Sequence, residues 1–288
     1  MRSSPTASNA DAGNVAAVAS SWRRHGREIP REWYSRDYYL SDSCEGFKEF
    51  LQGQEVSPIK ERLLRRIDVV GGERVLELGC GRGEALRACA ERGASAVGID
   101  YSRDAVELSH TTCGERAAVL QADATELPFQ AGSFRKVFLG DVLEHLTKRQ
   151  AERMLAEAYR VIDDGGTLVV HTSPNVLFIR LVFPWVLLGL ALTGRLALLR
   201  LFVEQYRTIR RLHVREYSAG RLRRLFGAFS FGRVEIECDP DVLRGGKSRY
   251  TEGLAGSRLI RAVAALVSKP PLVRLFSNDL WVVARKDA

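Results

Sequence analysis

The stretch VLELGCGRGEAL, residues 75–86, constrains this chain most: an apolar run carrying Glu77 passes into three alternating glycines, Gly79, Gly81 and Gly83. A short apolar run bounded by glycine reads as a buried strand. Glycines so spaced mark a backbone that must turn sharply or come close to a ligand. Residues 83–92 then have helical character and stop at Gly93. The alternation repeats along the chain. With 74–78 as the first strand, further strands are predicted at 95–100, 117–123, 134–140 and 166–172, and helices at 103–112 and 147–162. Thr147 and Gln150 have the spacing of a capping box, and Asp163-Asp164-Gly165-Gly166 reads as a turn. Alternating strands and helices imply a parallel sheet covered on both faces, an α/β Rossmann-like fold class. Right-handed crossovers bring the strand C-terminal ends to one rim, where ligands of open α/β sheets bind.

The glycine turn lies on that rim, ahead of a helix N-terminus. The dinucleotide fingerprint needs glycine at position 84, but Glu84 stands there, and an acid at a helix N-terminus repels pyrophosphate. The turn suits a ligand that has no phosphate and carries positive charge. The sulfonium and amino groups of S-adenosylmethionine meet that description.

VLELGCGRG resembles the first motif of the class I S-adenosylmethionine-dependent methyltransferases, and VGIDYS, LQADATELPF, FLGDVLEHL and VIDDGGTLVV resemble the motifs that follow it, in order. The resemblance covers residues 60–175 closely and 213–288 loosely. It implies a seven-stranded sheet whose last hairpin is 232–237 with 279–286. It also implies a cofactor site of Glu77, Gly79, Gly81, Gly83, Asp100, Tyr101, Asp123, Ala124 and Gly140. Asp100 would accept from the ribose hydroxyls, or cap a helix. Asp123 would accept from the adenine amino group, or from its own loop. Tyr101 would stack near adenine, or pack in the core. Asp163-Asp164 stand where many relatives have a basic residue and proline, a departure outside the cofactor site.

Methyl transfer from a sulfonium mainly requires positioning of the acceptor and exclusion of water. A hydroxyl acceptor gains from a base. Of five histidines, His145, His171 and His213 fall at or near the rim. Asp141, Glu144 and His145 stand at i, i+3 and i+4, which share one face of a helical turn. His145, Asp141 and His213 are therefore the candidate catalytic residues, with a structural hydrogen bond as the other role for His145; His171 beside TSPN would fix the Asn175 loop. The motif resembles the ExxEH of ubiquinone-pathway O-methyltransferases and of small-RNA 2′-O-methyltransferases, whose acids and histidine bind a divalent cation. Here Asp141 replaces their first Glu. Asp141, Glu144, His145 and His213 are the corresponding metal candidates, and a divalent cation is possible but not the expectation.

After the fifth strand comes an apolar and basic insert, 176–212, uncharged from Leu181 to Gly194. Fourteen such residues fall short of the ~20 that span a bilayer. A hairpin in one leaflet, a lid over a hydrophobic acceptor and a buried cap are the readings. From Arg195 to Arg233 there are ten arginines, no lysine and two acids, Glu204 and Glu216, an excess equal to the net charge of the whole chain, +8. Any anionic partner should meet the basic region, and residues 176–233 are the candidate membrane surface. Five cysteines without a CxxC pair suggest reduced thiols. The expected location is cytoplasmic, at the inner face of a membrane. Residues 1–20 read as a disordered tail, and 21–288 as one methyltransferase domain.

These features point to methylation of an oxygen on an amphipathic or lipid-linked small acceptor, of sugar or phenol type. Nucleic acid is an unlikely partner, because the basic belt lacks interleaved aromatics. An RNA methyltransferase, and a membrane-associated S-adenosylmethionine-binding protein without turnover, are the alternatives.

Overall fold

Apolar alternation along each strand leaves two faces to cover, and the chain covers both. The computed structural model describes residues 28–53, 56–239, 262 and 265–288; the tail expected at 1–20 lies outside them. The strands are β1 (Arg74–Leu78), β2 (Ser95–Asp100), β3 (Ala118–Gln121), β4 (Phe134–Gly140), β5 (Ile162–Thr172), β6 (Phe231–Asp239) and β7 (Asp279–Lys286). They form one sheet in the order β3-β2-β1-β4-β5-β7-β6. Pairing is parallel through β3, β2, β1, β4 and β5, and antiparallel for β5 with β7 and β7 with β6. This is the Rossmann-like seven-stranded sheet that the resemblance implies, with the last hairpin where it was expected.

The longer helices are α1 (Pro58–Ile67), α2 (Glu84–Glu91), α3 (Arg103–Cys113), α4 (Lys148–Val161), α5 (Phe183–Leu192), α6 (Leu196–Leu212) and α7 (Ala219–Phe226), besides short turns of helix at Arg36–Tyr39, Phe47–Leu51 and Val273–Phe276. Ser57 caps α1 by accepting from Lys60 N, with Pro58 at the first position, the favoured residue where no helical N–H is needed. Thr147 and Gln150 form the anticipated capping box. On one face of the sheet Leu76, Leu78, Val137, Leu139, Leu168 and Val170 bury against Met154 and Leu155 of α4 and Leu222 and Phe226 of α7. On the other, Val75, Phe138, Val169 and Trp281 bury against Leu63, Leu64 and Ile67 of α1 and Leu86 and Cys89 of α2. Each fully buried side chain of this size contributes about 1.5–3 kcal/mol.

Two local expectations change. The turn at 163–166 is absorbed into β5: Ile162 already pairs with Phe134, the register shifts between Phe134 and Lys136, and Gly165 takes φ +74°. The extra backbone is taken up as a bulge rather than a loop. β3 ends at Gln121 rather than 123, which frees Ala122–Thr125 to leave the sheet at the rim.

Ahead of α1, the segment 28–53 lies across the rim. Ser102 Oγ donates to Tyr34 O (2.6 Å), Arg36 N donates to Asp104 Oδ2 (2.7 Å), and the buried Arg82 guanidinium donates to Tyr39 O (2.7 Å) and Glu45 O (2.6 Å). Arg82 keeps its charge inside the fold by also pairing with Glu84, 2.8 Å away. It thereby clasps the covering segment to the glycine turn.

Candidate active site

At the carboxyl rim, β1, β2 and β4 end around a cavity of about 190 Å³. The turn after β1 is held down by Gly79 N and Cys80 N, both donating to Ile99 O at 2.8 and 2.9 Å. Gly79 sits at φ +74° and a Cβ there would meet Val142 at 2.6 Å, while a Cβ on Gly81 would meet the Tyr39 ring at 3.5 Å. Both glycines line the cavity. Gly83 does not: its φ is +83° and its missing side chain makes room for Ser109 of α3. The expectation that Gly83 contacts the cofactor is corrected to a packing role between α2 and α3.

Asp100 closes β2, is 5% exposed, and lines the cavity. Its Oδ2 accepts from Gly81 N (3.1 Å) and its Oδ1 from Ser102 N (2.9 Å), with the Tyr39 hydroxyl at 3.5 Å. Burial pushes its pKa up to about 6, against the pull of these donors. Oδ2 retains a lone pair, and on Oδ1 the second is taken only by the long Tyr39 bond, so a ligand that displaces Tyr39 finds two acceptors. Tyr101, Asp123, Ala124 and Gly140 also line the wall, and Asp123 additionally accepts from Thr125 N (2.8 Å), its own loop.

Glu77 lies at the base of the wall with Oε2 buried and without a hydrogen-bond partner. Burial pushes its pKa up to about 8, although Lys60 draws it back. Lys60, also on the wall, stays charged because Glu84 at 2.7 Å outweighs the cost of burial. An orphaned carboxyl oxygen, a paired-hydroxyl acceptor at Asp100 and two bare glycines are the complement of a nucleoside bearing an amino group and a sulfonium. The residues fit S-adenosylmethionine: Asp100 would hold the ribose, Glu77 the cationic end and Lys60 the carboxylate.

A pH effect follows. A cation bound beside Glu77 favours its ionised form, so at pH 7, below the pKa of about 8, binding expels a proton. Calorimetry of S-adenosylmethionine binding at pH 7 in buffers of different ionisation enthalpy should show proton release, absent in Glu77→Gln. The same enthalpy in every buffer for the native protein would refute this.

The Asp141–Glu144–His145 cluster departs from the helical arrangement. Asp141 takes φ +54°, uncommon for a residue with a side chain, and only Leu143–His145 form a 3-10 turn. Asp141 is thereby turned to His171, whose Nδ1 is 3.1 Å from Asp141 Oδ1. His171 is fully buried beside Trp281 (ring centroids 4.3 Å), with Asp279 on its other nitrogen at 3.7 Å. Burial would lower His171, but the two carboxylates outweigh it and hold it well above the usual imidazole range. Burial would raise Asp141, yet the His171 cation holds it at about 2. His171 is thus a charge partner of Asp141 rather than a brace for the Asn175 loop. Asn175 is instead held through its own Nδ2 to Arg274 O and Ser277 O (2.9 and 3.0 Å).

His145 lines the cavity. Its Nδ1 lies 2.9 Å from Leu212 O and 2.8 Å from the Tyr34 hydroxyl. A carbonyl only accepts, so the Nδ1 proton belongs there and Nε2 is left as the acceptor. Burial lowers the pKa of His145, so the ring is neutral at pH 7. Glu144 and His213 lie behind it, outside the cavity wall. Glu144 accepts from Thr172 Oγ1 (2.8 Å), and burial, with the neighbouring Asp141 charge, pushes its pKa well above the usual carboxylate range. The His213 ring is 4.9 Å from that of His145, and burial drops its pKa to about 3. His213 does not line the cavity, which leaves His145 as the candidate base on the wall.

Glu144, His145 and His213 place one ligand atom each within 4.8 Å of one another, but Asp141, the fourth metal candidate, is committed to His171.

The sequence reading passed over Tyr34, Tyr38, Tyr39, Lys60 and Arg82. The tyrosines carried a signal: three of the chain's eight fall within six residues, YSRDYY. They form an edge-on cluster, Tyr34 with Tyr38 at 5.3 Å and with Tyr101 at 5.4 Å, over the same cavity.

Comparison with known proteins bears on the fold and the family. Residues 75–166 match a family model described as a methyltransferase domain. The chain is 32% identical over 120 residues to a demethylmenaquinone methyltransferase of Clavibacter sepedonicus, covering 40% of this chain and 48% of that protein. It is 30% identical over 121 residues to a ubiquinone biosynthesis O-methyltransferase of Methylococcus capsulatus, covering 41% and 50%. The chain thus spans about half the length of the curated relatives it matches. Among solved structures, a SAM dependent methyltransferase from Archaeoglobus fulgidus superposes with a TM-score of 0.53 at 24% identity, covering 83% of this chain and 98% of that one, which shows the shared fold.

Proposed function

We propose, on the premise that this chain belongs to the class I S-adenosylmethionine-dependent methyltransferases, that it methylates an oxygen of an amphipathic or lipid-linked small molecule of the sugar or phenol type. The observation that carries the oxygen is the neutral His145, its Nδ1 spent on Leu212 O and Tyr34, on the wall that also holds Asp100 and Glu77. The names of the two curated relatives, one an O-methyltransferase and both for quinone-type compounds, are in keeping with a phenolic acceptor.

The bound donor supplies an electrophilic methyl carbon on a positively charged sulfur. His145 Nε2 takes the acceptor's hydroxyl proton as the new carbon–oxygen bond forms and the carbon–sulfur bond breaks, its electron pair staying on sulfur. Leu212 O and Tyr34 keep the imidazole in the tautomer this requires. Asp100, Gly79 and Gly81 orient the nucleoside. The tyrosine cluster and the Arg82 clasp keep water from the cavity. Asp141, ionised on the wall through His171, favours the imidazolium that forms.

Transfer of labelled methyl from S-adenosylmethionine into a membrane lipid extract tests this reading. We expect an organic-soluble, nuclease-resistant product, formed equally well with EDTA present. A nuclease-sensitive product supports the RNA reading. Donor binding without any product supports a non-catalytic binder, and loss of product with EDTA restores the cation.

A further inference from the structure

We propose that the hairpin of α5 and α6 is a docking surface for an anionic lipid bilayer. The inference goes beyond the reaction, since it stands on the surface chemistry of the hairpin whatever the acceptor proves to be.

The hairpin has an inner and an outer side. Phe183 and Leu190 are buried, and Phe183 meets Phe202 and Tyr206 of α6 at ring distances of 6.0 and 5.3 Å. The outer side is equally apolar but bare. Leu181, Trp185, Leu188 and Leu192 are 53, 71, 47 and 79% exposed, and their steps of four, three and four residues place them along one stripe of a helix. Leu196, 56% exposed, continues it at the start of α6. Among the described residues, five of the nine exposed large hydrophobic side chains lie on this hairpin and the turn of helix, Phe178–Val182, that leads into it. A concentration of this kind marks an interaction site, whereas single exposed leucines do not.

The charge around the stripe says what covers it. No charged residue occurs from Leu181 to Gly194, and Arg180 and Arg195 stand at the two ends of that run. Arg200, Arg207 and Arg211 follow, all exposed, against one acid in 176–212, Glu204. An uncovered apolar stripe carrying tryptophan, bracketed by arginines, matches the interior and the anionic headgroups of a bilayer at once. A groove on a protein partner would have to neutralise several arginines besides covering the stripe. Among the described residues no helix is long and apolar enough to cross a membrane, so the hairpin lies within one leaflet, at an expected depth of about 5–10 Å.

The returning end of the hairpin is tied to the cavity wall through His145. The hairpin leaves from the end of β5 through Val176, whose N donates to Tyr217 O (2.7 Å). It returns at Leu212, whose carbonyl holds His145, and at Val214, whose N donates to Glu144 O (2.9 Å). A docked hairpin therefore lies one hydrogen bond, through Leu212 O, from the His145 imidazole.

The test uses the full chain and vesicles of phosphatidylcholine with or without phosphatidylserine, at low and high salt. We expect co-sedimentation with the phosphatidylserine vesicles at low salt, weakened by salt, with a blue shift of tryptophan emission that Trp185→Phe removes. The double variant Trp185→Glu, Leu192→Glu should bind these vesicles at least about tenfold more weakly, while its calorimetric affinity for S-adenosylmethionine stays native, which shows that the fold is retained. No sedimentation with phosphatidylserine vesicles at low salt overturns the proposal. So does a stable dimer that the double variant dissolves, because a second copy would then be the occupant. Because donor affinity is read on the same samples, failure of the docking surface is distinguishable from failure of the methyltransferase reading.

Discussion

Asp100→Asn is expected to weaken S-adenosylmethionine binding by about a hundredfold while leaving the protein folded. The carboxylate already serves the fold with one lone pair on each oxygen, toward Gly81 N and Ser102 N, and a third is held only by the long Tyr39 bond at 3.5 Å. Its remaining lone pairs are what a ribose diol needs. The amide keeps the shape but turns one acceptor into a donor, which then faces either Gly81 N–H or a ribose hydroxyl. Hydrogen bonds to a charged group are worth about 1.5–3 kcal/mol each, and about 2.7 kcal/mol is a hundredfold. Calorimetry measures the affinity, and circular dichroism with thermal melting reports the fold. A native affinity in the folded variant would remove Asp100 from the donor site and with it the placement of the nucleoside.

His145→Ala should have the opposite profile: turnover down by about a hundredfold to ten-thousandfold, donor affinity unchanged within about twofold. The imidazole reaches the cavity but is not among the groups that complement the nucleoside. Tyr34→Phe removes one of the two contacts at Nδ1 and leaves Leu212 O, so its loss should be smaller, about tenfold. The sign of the pH effect is also set. Burial lowers the His145 pKa, so the ring keeps its acceptor as pH falls through the ordinary imidazole range, and turnover should hold there and drop only below it. Single-turnover rates across pH, alongside donor affinity, measure both. A parallel loss of donor affinity and rate in His145→Ala would make His145 part of the binding wall instead of the base.

Much of this architecture is legible along the chain, because its signals are local. A strand followed by a glycine turn and a helix is encoded within twelve contiguous residues, and a capping box within four. Glu77, Gly79, Gly81 and Asp100 share a rim because parallel strands with right-handed crossovers leave no other place for their ends. The departures all come from longer range. Gly83 is small for the sake of Ser109, twenty-six positions on, and periodicity is blind to that contact. The turn at 163–166 disappears because Ile162 finds Phe134 as a partner across the sheet.

The order and spacing of the residues by themselves determined the parallel run of strands and its carboxyl rim, since both depend on short-range propensity and on the alternation of strand and helix. Only the folded molecule decided the acceptor's side. The left-handed backbone at Asp141 broke the shared face with His145 and sent the acid to His171. Tyr34 and Leu212, 111 and 67 positions away, reached the same imidazole nitrogen. Contacts of that kind are set by how packed elements close on one another, a property of the whole core that no local stretch of chain encodes.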